Sequence, residues 1–94
     1  MPHLGIRHRV QDYDAWKSVF DEFAPQRRAR GEISYQIYHV DGDRNHIVLF
    51  FEWDSIDNAK AFIASDTLRE AMGRAGVQSE PAIFYLNAGD AGRP

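Results

Sequence analysis

The sequence contains no cysteine, which excludes disulfides and thiolate zinc sites. It also lacks any apolar run near the ~20 residues that cross a bilayer. The opening MPHLGIRHRV has no apolar core of signal-peptide length, so the expectation is a cytoplasmic protein without membrane contact. A strong charge of one sign is missing as well. A net charge of -3 gives no general attraction to phosphate backbones and argues against a nucleic-acid partner. There is no GxGxxG, no P-loop and no GxSxG. The 4 histidines show neither HxH nor HExxH spacing, so no metal site and no cofactor are expected. Haem would need an axial ligand, for which His8 and His39 are the candidates. Size is the last shortage. A domain of 94 residues buries only about two-thirds of its unfolded-chain surface. With disulfides and metal set aside, a partner subunit is the remaining support.

What is present is organised around Ile33–Trp53. Two runs rich in β-branched and aromatic residues flank Asp41-Gly42-Asp43-Arg44-Asn45, whose residues favour turns. The expected structure is a β-hairpin in which Asp41 opposes Asn45. The pairs then continue as His39 with Ile47, Ile37 with Leu49, Tyr35 with Phe51 and Ile33 with Trp53. Side chains alternate along a strand, so these residues form one apolar face. Ser34, Gln36, Tyr38, His46, Val48, Phe50 and Glu52 form the other. A one-residue slip would exchange the two faces.

Before the hairpin, His3 to Val10 alternates as a strand. Leu4, Ile6, His8 and Val10 lie on its apolar side, and His3, Gly5, Arg7 and Arg9 on the other. His8 is expected to be a core or rim histidine with a hydrogen-bond partner. Asp12 is a good N-cap, and Tyr13, Trp16, Phe20, Phe23 and Arg27 recur at helical spacing. Pro25 predicts a break near Ala24. Arg27, Arg28 and Arg30 are expected on a solvated face, with Gly31 as the stop. After the hairpin, Ser55 and Ser65 cap two short helical stretches, with Ala59, Phe62 and Ile63 buried. Gly73 or Gly76 ends the second stretch. A last strand, AIFYLN, sends Phe84 and Leu86 one way and Ile83 and Tyr85 the other. Residues 88–94 are expected to be a frayed tail of this single domain.

The order β-α-β-β-α-β is the ferredoxin-like, split βαβ pattern of an α+β domain. Its antiparallel sheet, in the order 4-1-3-2, carries both helical segments on one face. The uncovered face would hold Arg7, Arg9, Tyr38, Val48, Phe50, Glu52 and Tyr85. That face is too apolar to leave in water. A second copy closing over it by two-fold symmetry is the expected homodimer.

The stretch RHRVQDYDAWKSVFDEFAPQRRARG resembles the first strand and helix of small bacterial dimeric α+β-barrel proteins. FEWDSIDNAKAF and ASDTLREAMGRAGV resemble the end of their third strand and its following helices. The likeness runs from about residue 3 to residue 87. It points to the antibiotic-biosynthesis-monooxygenase-like and cyclase-like group of that superfamily. The resemblance implies the fold and the dimer. The superfamily includes cofactor-free oxygenases, haem enzymes, isomerases and proteins without known activity, and no reaction-specific motif carries a catalytic residue over.

The residues themselves permit some chemistry. A pocket is expected beside the uncovered face, between it and the helices or the partner. Glu52, partly out of water beside Phe50, is the candidate acid–base group, with His3 next to it across the strands. Arg7, Arg9, Tyr38, Phe50 and Tyr85 are the candidate ligand-binding residues. One reading is an enzyme without metal that moves protons through Glu52 and His3 or Arg7. It would oxygenate, cyclise or isomerise a small aromatic or polyketide-like molecule. The alternatives are a non-catalytic dimer that binds a metabolite or a protein, and a structural module whose face is filled by the partner.

Overall fold

Turn, cap and alternation signals translate into eight elements across the described residues, 2–77 and 80–94 of a computed structural model. They are β1 (His3–Arg9), α1 (Tyr13–Glu22), α2 (Ala24–Arg30), β2 (Glu32–Val40), β3 (Asp43–Trp53), α3 (Ile56–Ile63), α4 (Asp66–Arg74) and β4 (Ala82–Leu86). The strands form one antiparallel sheet in the order β2-β3-β1-β4. Read from the other edge, this is the expected 4-1-3-2. No helix among the described residues is long and apolar enough to cross a membrane.

Each helical segment is divided in two, for local reasons. The Asp12 carboxylate accepts from the Ala15 N–H at 3.0 Å and starts α1. Pro25 has no N–H to give, so it sits in the first turn of a new helix, α2, rather than inside α1. Gly31 then ends α2 at φ 125, a conformation that side-chain-bearing residues avoid. Ser55 accepts from the Asn58 N–H at 3.1 Å and Ser65 from the Leu68 N–H at 3.2 Å, starting α3 and α4.

The hairpin keeps most of the expected register. His39 pairs with Ile47, Ile37 with Leu49 and Tyr35 with Phe51. Two irregularities change its ends. Val40 pairs with Asp43, so the tight turn closes earlier than an Asp41–Asn45 pairing would allow. At the other end a bulge between Glu32 and Ser34 sets Glu32, not Ile33, opposite Trp53. A bulge adds one residue to one strand and re-aims its side chains. It turns Glu32 towards the helices. Asn45 ties the hairpin to the β1–α1 junction: its side-chain oxygen accepts from the Tyr13 N–H at 2.8 Å, and its carbonyl from the Val10 N–H at 2.9 Å.

The helix-facing side of the sheet supplies Leu4, Ile6, Ile47, Leu49, Phe51 and Trp53, all buried. Trp16, Phe20 and Phe62 pack on it from the helices. Each such side chain contributes roughly 1.5–3 kcal/mol on burial. Tyr85 requires a correction. Its partner across the β1–β4 pairing is Leu4, so it lies on the helix side, where the Lys60 ammonium sits 5.5 Å above its ring. Ala82, Phe84 and Leu86 are the β4 residues on the uncovered face, opposite Arg7, Gly5 and His3.

Candidate functional site

Strict alternation along β1 places His8 between Ile6 and Val10 on the helix side, opposite Ile47 of β3. It is 6% exposed. Among the described residues, neither ring nitrogen has a hydrogen-bond partner, so the partner expected from the sequence is not found there. Burial pushes its pKa down to about 4, because a charged imidazolium would have to leave water. At neutral pH the ring is therefore uncharged, with one N–H donor and one acceptor nitrogen. The Trp16 ring meets it edge-on at 5.9 Å.

His8 is one of the residues that line an internal space. A cavity of about 370 Å³ lies between sheet and helices, at the lower end of the range for small-molecule sites. Ile6 and His8 of β1 with Leu49 and Phe51 of β3 form its floor, and Trp16 and Phe20 of α1 one wall. Leu68 and Met72 of α4 and Ile83 of β4 close another side. Trp16 and Phe20 are stacked, 4.8 Å apart and 24° from parallel, so each ring covers one face of the other.

Arg27 is the second polar group on this lining. The sequence reading placed it on a solvated face, but it is 2% exposed. Its place on the Tyr13–Trp16–Phe20–Phe23 stripe decides the matter against its charge. The guanidinium carbon lies over the Phe20 ring, 3.6 Å from its centre. Nε donates to Glu32 Oε1 at 2.8 Å, and Nη1 donates to the Phe20 carbonyl. Burial pushes the Glu32 carboxyl up, against the opposing pull of the Arg27 charge and hydrogen bond. Arg69 and Glu80 also line the cavity. Sequence reasoning passed over Arg27 as a site residue and did not consider Glu32. The helical spacing held the signal for Arg27, whereas the bulge that turns Glu32 inward had none.

The residues proposed from sequence lie elsewhere. Glu52 and His3 are brought opposite each other across β3 and β1, on the uncovered face. Tyr38 and Phe50 are there too, their rings 6.0 Å apart and edge to face. Arg7 and Arg9 line a second cavity of about 320 Å³ with His46, Glu80 and Ala82, which His8 also touches. Arg9 forms an ion pair with Asp43. None of His3, Arg7, Arg9, Tyr38, Phe50, Glu52 or Tyr85 lines the helix-side cavity. Among the described residues, no group of three or more His, Asp or Glu side chains is placed to hold a metal ion.

No protein-family model and no curated protein matches the chain. Solved structures do. A crystal structure of an antibiotic biosynthesis monooxygenase matches with a TM-score of 0.72 and 14% identity, over 96% of this chain and 100% of that one. A candidate antibiotic biosynthesis monooxygenase from Caulobacter crescentus matches with a TM-score of 0.73 and 20% identity, over 95% of this chain and 90% of that one. SnoaB, a cofactor-independent oxygenase from Streptomyces nogalater, matches with a TM-score of 0.71 and 17% identity, over 94% of each chain. At these identities the likeness is one of fold: the chain shares the architecture of these antibiotic biosynthesis monooxygenase structures.

Proposed function

We propose that the protein binds a flat, hydroxylated aromatic molecule in the helix-side cavity and acts on it as a cofactor-independent monooxygenase. The observation that carries this reading is His8: a neutral imidazole beside an apolar cavity, with neither nitrogen bonded to any of the described residues. Unpartnered buried polar atoms are rare in native structures and call for an explanation. A ligand hydroxyl supplies one. It donates to the bare nitrogen of His8, or accepts from the protonated one, while the rings pack against the Trp16 side of the cavity.

The chemistry begins with a proton. As the bound hydroxyl or an activated ring C–H ionises, the negative charge appears beside His8. An anion next to the ring favours its protonated form, so the same side chain that is a weak base in the empty cavity becomes a competent one. The apolar walls keep water from competing. The delocalised anion then meets dioxygen, which is the oxidant. A ring C–H carbon forms the new C–O bond and becomes a carbonyl; one oxygen atom stays in the resulting quinone, and the other leaves as water with the two hydrogens lost from that C–H and from the hydroxyl. The fold shared with SnoaB, described as a cofactor-independent oxygenase, supports this class of reaction.

The uncovered face supports a separate part of the reading, a homodimer. Tyr38 at 53%, Phe50 at 39% and Phe84 at 55% exposure form an apolar patch that a second copy would cover. His3 and Glu52 then lie at one end of the interface. In a second reading, that pair moves protons for a ligand held between the sheets. The two are separated by variants. Binding of 2-naphthol, followed by quenching of Trp16, is expected to weaken at least tenfold in His8→Leu. Oxygen uptake with polycyclic hydroxyaromatics is expected to stop. Unchanged binding and uptake in His8→Leu, with loss of uptake in Glu52→Gln, would transfer the chemistry to the outer face.

A further inference from the structure

Resting on the same cavity, we infer that Arg27 is an anion anchor, and that the ligand is an aromatic acid with a carboxylate at the end remote from its hydroxyl. The argument starts with donors. A guanidinium has five N–H groups. In Arg27, Nε is taken by Glu32 and Nη1 by the Phe20 carbonyl. The second N–H of Nη1 and both N–H groups of Nη2 meet no acceptor among the described residues, although the side chain is 3% exposed. Nη2 is not among the fully buried polar atoms that lack a partner, and Arg27 lines the cavity, so its spare donors are open to an acceptor held there. Glu32, itself 9% exposed, balances the charge but leaves those donors unused.

The position of the group gives the ligand its shape. His8, Trp16, Phe20 and Arg27 follow one another along the cavity wall, at successive spacings of 5.9, 4.8 and 3.6 Å. His8 belongs to the row of Ile47, at the start of α1, and Phe20 reaches the row of Phe51, two pairs further down the sheet. The two polar groups thus stand at opposite ends of a column of aromatic rings. A neutral donor–acceptor faces one end of a bound ring system and a cation faces the other. Planar carboxylates match a guanidinium better than other anions of this size, because two N–H bonds can run to the carboxylate.

The test uses four probes of one ring size: naphthalene, 2-naphthol, 2-naphthoate and 6-hydroxy-2-naphthoate, titrated against the intact protein by Trp fluorescence and calorimetry. The hydroxy acid is expected to bind at least tenfold more tightly than 2-naphthol. Glu32→Gln removes the competing carboxylate without removing the cation. It is expected to strengthen binding of the two acids severalfold and to leave 2-naphthol as it was. A purely structural Arg27–Glu32 pair would instead weaken all probes together or none. The double variant Arg27→Met/Glu32→Leu, which leaves neither charge without its partner, is expected to abolish the preference for acids. Circular dichroism checks that each variant is folded. Equal affinity for 2-naphthol and the hydroxy acid would overturn the anchor and leave the cavity reading standing. Failure of all four probes to bind would overturn both.

Discussion

Two ring nitrogens without partners among the described residues, on a side chain buried as deeply as His8, cost a fold about 1–3 kcal/mol in lost hydration. An apolar side chain of similar size has no such cost. His8→Leu is therefore expected to raise the unfolding free energy by an amount in that range while it weakens ligand binding. Urea denaturation at pH 7.5 measures it. A loss of stability would mean that the imidazole has a partner after all. Acid offers an independent check. The pKa of His8 falls from 6.5 to about 4 on folding, so between those values the unfolded chain binds the extra proton. Stability then drops as pH falls through that window. Each tenfold in the protonation equilibrium is worth ~1.4 kcal/mol, which makes the drop roughly 3 kcal/mol. The difference between wild type and His8→Leu, followed from pH 7 to pH 4, should widen by that amount and then level off.

At the scale of elements, the helical segments are held in place by what ends them. Gly31 does two things at once. Its φ of 125 is reserved for glycine, and a Cβ there would come within 2.7 Å of Asp54 Cγ. Asp54 cannot move aside freely, because its N–H donates to the Gly31 carbonyl at 3.0 Å and its carboxylate accepts from Asn58 at 2.9 Å. Gly42 also has positive φ, at 83, but an added Cβ would meet nothing within 4 Å. Left-handed backbone alone costs a side-chain-bearing residue about 1–2 kcal/mol. Gly42→Ala should fall in that range. Gly31→Ala should exceed it by the cost of the clash, and it should also displace α2 and with it Arg27. Thermal melts of the two variants decide the point; equal losses would show that Asp54 yields.

For the whole molecule, the two faces of one sheet have different work. The helix-facing side forms the core and the cavity, whereas the outer side presents aromatic residues and Val48 to solvent in the isolated chain. In the homodimer reading, Phe84→Glu is expected to place a charge in the middle of the closed interface. Light scattering should then report twice the chain mass for wild type and a single chain mass for the variant. Since His8 and Arg27 belong to the other side, 2-naphthol binding per chain should survive in the monomer. A wild type that runs as a monomer would remove the second copy, and the outer face would need another explanation.

Much of this protein is written in short-range patterns. Alternation in β1 and β3, the caps Asp12, Ser55 and Ser65, the break at Pro25 and the stop at Gly31 are all decided within a few residues. Sequence alone therefore determined the element order, the sheet order and most of the hairpin register. The likeness of RHRVQDYDAWKSVF and FEWDSIDNAKAF to the barrel proteins agreed with that architecture. The candidate site was legible only as separate residues. His8 was visible as a histidine on an apolar strand face, but its want of a partner depends on every side chain packed around it. Arg27 was visible on the aromatic stripe, but charge argued for solvent, and only the bulge that turns Glu32 inward and the Phe20 ring beneath the guanidinium allow its burial. The cavity has no sequence signature at all. It is the space left when helices, held by their caps and breaks, pack on the sheet without filling it, and that volume exists only once the tertiary contacts are made.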